Sequence, residues 1–165
     1  MSLPRRRRDA GSPVVSTESV VDEPTWRLAV ESVAAASRGE PESYEAIMRS
    51  ADSATFSDRQ RHWLGLYLMF ALRYRVAELC DGRPSDQAIV QLADRYRARF
   101  ARLIRDPDLL KTVLLDSWRI GRSQPELTGG VFIYTAGAAL GSLVSDPAEF
   151  MQSRQTAIGR WITEM

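Results

Sequence analysis

Apolar residues along this chain recur at helical intervals. Ile89, Leu92, Ala93, Tyr96, Phe100, Leu103 and Ile104 follow i, i+3, i+4 spacing, which places them on one side of a helix. Arg95, Arg99 and Arg102 run along the opposite side. Phe150, Ala157, Ile158 and Trp161 repeat the pattern more weakly and are expected to face inward. Two stretches differ. Trp63 to Leu72 reads WLGLYLMFAL, apolar around its whole circumference for about 15 Å at 1.5 Å per residue. A helix of that kind is expected to be enclosed by other helices. Thr128 to Ser145 crowds Phe132, Ile133, Leu140, Leu143 and Val144 onto one half and puts Gly137, Ala138, Gly141 and Ser142 on the other. No segment sustains the period-two alternation of a half-buried strand, so no strand is predicted.

The ends of these segments carry capping chemistry. Asp22, Asp106 and Asp146 each stand just before a first-turn proline, Pro24, Pro107 and Pro147. The carboxylate accepts backbone N–H groups that no carbonyl reaches, and proline has no N–H to leave unpaired. Ser57-Asp58-Arg59-Gln60 has the spacing of a capping box, and Ser85 offers a further N-cap. Gly39, Gly82 and Gly121 fall where helices should stop. The pattern predicts seven helices, at 23–38, 41–52, 58–81, 86–105, 107–120, 128–145 and 147–164. The fold class expected is all-α, a single-domain bundle around two central apolar helices, 58–81 and 128–145.

Length and composition agree with this picture. A chain of 165 residues makes one domain with a full core. Residues 1–21 hold Arg5–Arg8 among Gly, Ser, Pro and Thr and are read as a disordered tail, leaving 22–165 as the helical domain. That tail lacks the apolar run of a secretory signal, and no stretch reaches the roughly 18 apolar residues of a membrane span. Cys80 is the lone cysteine and cannot form an internal disulfide, which points to a reducing, cytoplasmic setting.

Charge changes the picture more. The net charge is only +1, but the signs are sorted. Residues 9–58 hold ten acids against three bases, −7, and residues 59–105 hold ten arginines against four acids, +6. Either the blocks answer each other inside the domain, through Glu31, Glu40, Glu42, Glu45 and Asp52, or they present two differently charged surfaces.

Candidate chemistry is sparse. His62 is the only histidine, so no His-pair zinc site or Glu-x-x-His di-iron site can be built, and no metal or cofactor is expected. His62 and Cys80 are eighteen residues apart on one predicted helix, roughly 27 Å along its axis, too far to act together. Glu40, Glu42, Glu45, Asp106 and Asp108 sit at helix starts, where capping and the helix dipole account for them. Gly129-Gly130 opens a helix without a preceding strand or a following Lys-Ser/Thr, a weak phosphate cradle. Glu78, three residues after Arg75, suits a structural ion pair. No catalytic residue is assigned, and an enzyme is disfavoured.

Binding remains. The first expectation is a non-enzymatic interaction module that self-associates or docks on a protein partner. Arg95, Arg99 and Arg102 would be its partner or anion face, with Gly137 and Gly141 either packing helices or joining two copies. The alternative is a bundle that holds an apolar small molecule, with Trp63, Tyr67, Phe70 and Tyr74 lining the pocket and Tyr134 and Thr135 orienting the ligand. Nucleic-acid binding through the arginine face is a weaker alternative, because no exposed aromatic residues interleave the row and the isoelectric point is 7.9.

Overall fold

The computed structural model describes residues 21–119 and 129–164, and these form seven helices with no strand. They are α1 (Glu23–Ser37), α2 (Pro41–Ala51), α3 (Asp58–Leu79), α4 (Asp86–Phe100), α5 (Pro107–Trp118), α6 (Gly129–Leu143) and α7 (Pro147–Glu164). Residues 1–20, which make up nearly all of the expected tail, lie outside the described residues, as does Gly121. Val21 is buried in the core.

The caps form as their residue types dictate. Asp22 accepts from the Thr25 N–H at 3.3 Å, Asp106 from the Asp108 N–H at 3.0 Å and Asp146 from the Glu149 N–H at 3.2 Å. The capping box closes in both directions. The Gln60 N–H donates to Ser57 Oγ at 3.1 Å, and the Ser57 N–H donates to Gln60 Oε1 at 2.9 Å. After α3 the chain turns on two left-handed residues, Asp81 at φ 54° and Gly82 at φ 107°, where glycine alone was expected. The largest departure from the predicted ends is in α4. It stops at Phe100, five residues early, where the bonding tightens from four residues to three: the Arg102 and Leu103 N–H groups donate to the Arg99 and Phe100 carbonyls, at 3.4 and 3.0 Å. That tight turn swings Ile104 into the core.

α6 is the axis of the bundle. It packs against α1, α3, α4 and α5, and every residue from Thr135 to Leu143 is buried. α3 is the second central element, touching α1, α5, α6 and α7. Its stretch from Tyr67 to Leu72 is wholly buried, whereas Trp63, Gly65 and Leu66 are only half covered. In α7, Phe150 and Ile158 point inward as expected, together with Met151, but Trp161 lies at the edge of the packed stripe and is 37% exposed. No helix among the described residues is long and apolar enough to cross a membrane.

Candidate functional site

The residues expected to line one aromatic pocket occupy three places. Tyr67 meets Trp26 of α1 edge-on at 5.4 Å, and its hydroxyl accepts the Asp22 N–H at 2.9 Å. Trp63, one turn earlier, carries the Arg59 guanidinium over its ring at 4.6 Å. Phe70 and Tyr74 pack on Trp161 of α7, at 5.2 and 5.1 Å between ring centres. The aromatic stripe of α3 therefore turns toward α1 and α7, away from the small residues of α6. Tyr134 lies against Tyr44 of α2, with ring centres 4.9 Å apart. Thr135 is buried and donates to the Val131 carbonyl at 2.7 Å.

A different hollow exists where α3 and α6 begin. It is an open groove of about 510 Å³, floored by Gly65, Leu66, Met69, Phe132 and Ile133 and rimmed by Asp52, Arg61 and His62. A smaller recess of about 140 Å³ continues between Met48, Leu64 and Tyr134. The incomplete cover of Trp63, Gly65 and Leu66 was the sequence's missed opportunity: an all-apolar stretch does not say which of its turns the neighbouring helices reach. Arg61 is already held, by the Asp58 carboxylate and by the Phe56 carbonyl at 3.2 Å.

Gly137 and Gly141 are spacers inside the bundle. The Tyr44 hydroxyl, donating to the Tyr134 carbonyl, lies 2.5 Å from where a Cβ at position 137 would stand. Burial holds the Tyr44 phenol far above its ordinary pKa. At position 141 a Cβ would fall on the Ala36 side chain, 2.8 Å from the Ala36 carbonyl carbon and the Ser37 nitrogen. The small face of α6 is filled by α1 and α2 and offers nothing to a second copy.

The arginine row lacks carboxylate partners among the described residues. Arg95 and Arg102 are exposed and Arg99 is half-buried, with Arg97 and Arg105 exposed beside them. Among the described residues none of Arg95, Arg99 and Arg102 makes an ion pair, and Arg97 reaches only its own helix, Asp94 at 3.5 Å. Arg102 lies across Gly39, the α1–α2 corner, where a Cβ would come 3.0 Å from Arg102 Cδ. The neighbouring acid, Glu40, is taken by Arg38 at 3.0 Å. Two other acids of the first block are answered locally as well, Glu45 by Arg49 at 3.5 Å and Asp58 by Arg61. Among the described residues no ion pair joins Glu40, Glu42, Glu45 or Asp52 to Arg95, Arg99 or Arg102, although Asp22 feels the charge of Arg59.

The remaining candidates are structural in placement. His62 is exposed on the groove rim and Cys80 is half-buried, its thiol pushed up by burial despite the pull of Arg95. Glu78 bridges Arg75 at 3.2 Å and Arg154 of α7, while Arg75 Nε caps α6 by donating to the Leu143 carbonyl at 2.8 Å. Arg73, unremarked in the sequence, sits between the rings of Trp118 and Trp161, at 5.1 and 5.6 Å. Residues this far apart in sequence leave no periodic trace of their meeting.

No protein family model, curated protein or solved structure matches the chain.

Proposed function

We propose that this chain is a non-enzymatic docking module of the cytoplasm that holds an acidic protein surface against Arg95 and Arg99 of α4 and Arg102 in the turn that follows it. One observation carries the reading: three guanidinium groups, spaced at i, i+4 and i+7, have no carboxylate partner among the described residues. Unpaired surface arginines form forked N–H donors that match carboxylates in two-point contacts. The row rests on a rigid support, because the opposite side of α4, through Ile89, Leu92 and Phe100, is locked into the core.

The test is binding of a labelled oligoglutamate peptide, followed by fluorescence anisotropy at low and high salt. Binding that weakens with salt and is lost in the Arg95→Glu/Arg99→Glu/Arg102→Glu variant supports the reading. Binding that ignores these substitutions refutes it. A duplex oligonucleotide bound far more tightly than the peptide would replace an acidic protein with nucleic acid as the partner.

The groove between α3 and α6 favours a second reading, an apolar small molecule with one polar end. Its volume, about 510 Å³, lies in the range of ligand sites, and its floor is apolar with charge only at the rim. Native mass spectrometry of the purified chain would support this if a small molecule were retained. It would count against it if none were retained and Leu66→Trp, which fills the groove, changed no binding property.

A further inference from the structure

We infer that the acidic surface taken by the arginine row is the α2 region of a second copy of this chain. The inference rests on the reading of that row as a docking face. The argument is charge complementarity left unsatisfied within one chain. From Glu40 to Asp58 the exposed side chains include five acids, Glu40, Glu42, Glu45, Asp52 and Asp58, against the single base Arg49. Glu42 and Asp52 make no ion pair among the described residues. Arg95 and the half-buried Arg99 on α4, with Arg102 in the turn after it, likewise make no ion pair among the described residues.

The fold keeps the two sets apart by what each helix must bury. α2 turns Tyr44 and Met48 toward α6, so Glu42, Glu45 and Asp52 stay outside. α4 buries Ile89, Leu92 and Ala93 against the bundle, so its arginines stay outside too. At the corner where Arg102 crosses Gly39, Arg38 already holds Glu40. Neither set can turn inward without exposing core. A second copy offers each row the opposite charge it lacks, at no cost to the packing of either chain. Exposed ion pairs are individually weak and screened by salt, so the association is a low-salt, high-concentration property.

Sedimentation velocity of the full chain tests this. Between about 0.01 M and about 1 M salt the screening length falls from about 30 Å to about 3 Å. The expected result is a mass above that of the monomer at the low end and the monomer alone at the high end. Arg95→Glu/Arg99→Glu/Arg102→Glu and, separately, Glu42→Arg/Glu45→Arg/Asp52→Arg should each weaken self-association about tenfold or more. An equimolar mixture of the two variants should associate again, since each then supplies the charge the other's reversed face needs. That rescue also shows that both variants are folded. A wild-type chain that stays monomeric at low salt overturns the inference, as does association that persists at 1 M salt or in both variants alone. A monomeric chain that still binds oligoglutamate through the row overturns the second copy but leaves the docking face standing. If oligoglutamate binding also ignores the row, both fall.

Discussion

Replacing Gly141 by alanine places one methyl group where α6 meets the backbone of α1. The added carbon would overlap the Ala36 side chain and stand 2.8 Å from two backbone atoms, Ala36 C and Ser37 N. Carbon atoms pack comfortably at about 3.5–4.0 Å, so the crossing must open by close to 1 Å. Side-chain rotation cannot relieve it, because the obstacle is backbone. Two terms oppose each other. Alanine gains about 1 kcal/mol over glycine in a helix interior, and overpacking a core costs about 1–3 kcal/mol or more. With the strain at the upper end, the net loss is about 2 kcal/mol, which for a domain of this size lowers the melting temperature by about 4–8 °C. Thermal and urea unfolding followed by circular dichroism measure it. Gly65→Ala is the internal control: its Cβ would meet one side chain and no backbone, Ile133 Cγ1 at 3.2 Å and Cδ1 at 3.6 Å, so a small shift of Ile133 offsets the helix gain and stability should stay within about 0.5 kcal/mol. A Gly141→Ala variant as stable as the parent would refute the close α1–α6 crossing.

Further consequences can be measured. Gly137→Ala should destabilise by about 1–3 kcal/mol, and less when Tyr44→Phe removes the hydroxyl that lies 2.5 Å from the new carbon; additive effects in a double-mutant cycle would refute that contact. Ser57→Ala opens the capping box of α3 and should cost about 1 kcal/mol in urea unfolding, with an unchanged m-value. Burial raises the Asp22 pKa, but the bonds from Thr25 and Gln60 outweigh it and leave it below the ordinary 3.8. Its contribution is therefore complete above that pH and fades as the pH falls through the folded-state value, so Asp22→Asn should flatten the acid limb of stability against pH. Tyr44 has its pKa raised, chiefly by burial, so its neutral form is favoured in the fold. That stability is full below pH 10 and is lost as the pH climbs through the folded-state value; alkaline melts should be less steep in Tyr44→Phe.

The seven helices and their starts could be read from the residues because the physics is local. Asp22, Ser57, Ser85 and Asp106 cap N–H groups two or three residues away, and the apolar faces of α4 and α7 repeat within two turns. The two central helices were legible too, since an apolar circumference demands neighbours on every side. The end of α4 was not, because continuing the helix to Arg105 and folding Ile104 inward satisfy the same local pattern. The direction each face takes was hidden as well. Trp63, Tyr67, Phe70 and Tyr74 could equally have met α6, but their partners Trp26 and Trp161 lie dozens of residues away. The same holds for charge: the sorted blocks were plain in the sequence, but whether they met depended on how α2 and α4 are turned. That orientation follows from which side chains of each helix are buried, Tyr44 and Met48 in one, Ile89, Leu92 and Phe100 in the other. Helices follow from bonds within a few residues; the pairing of their faces is decided by packing among segments far apart in the chain, and only the assembled core specifies it.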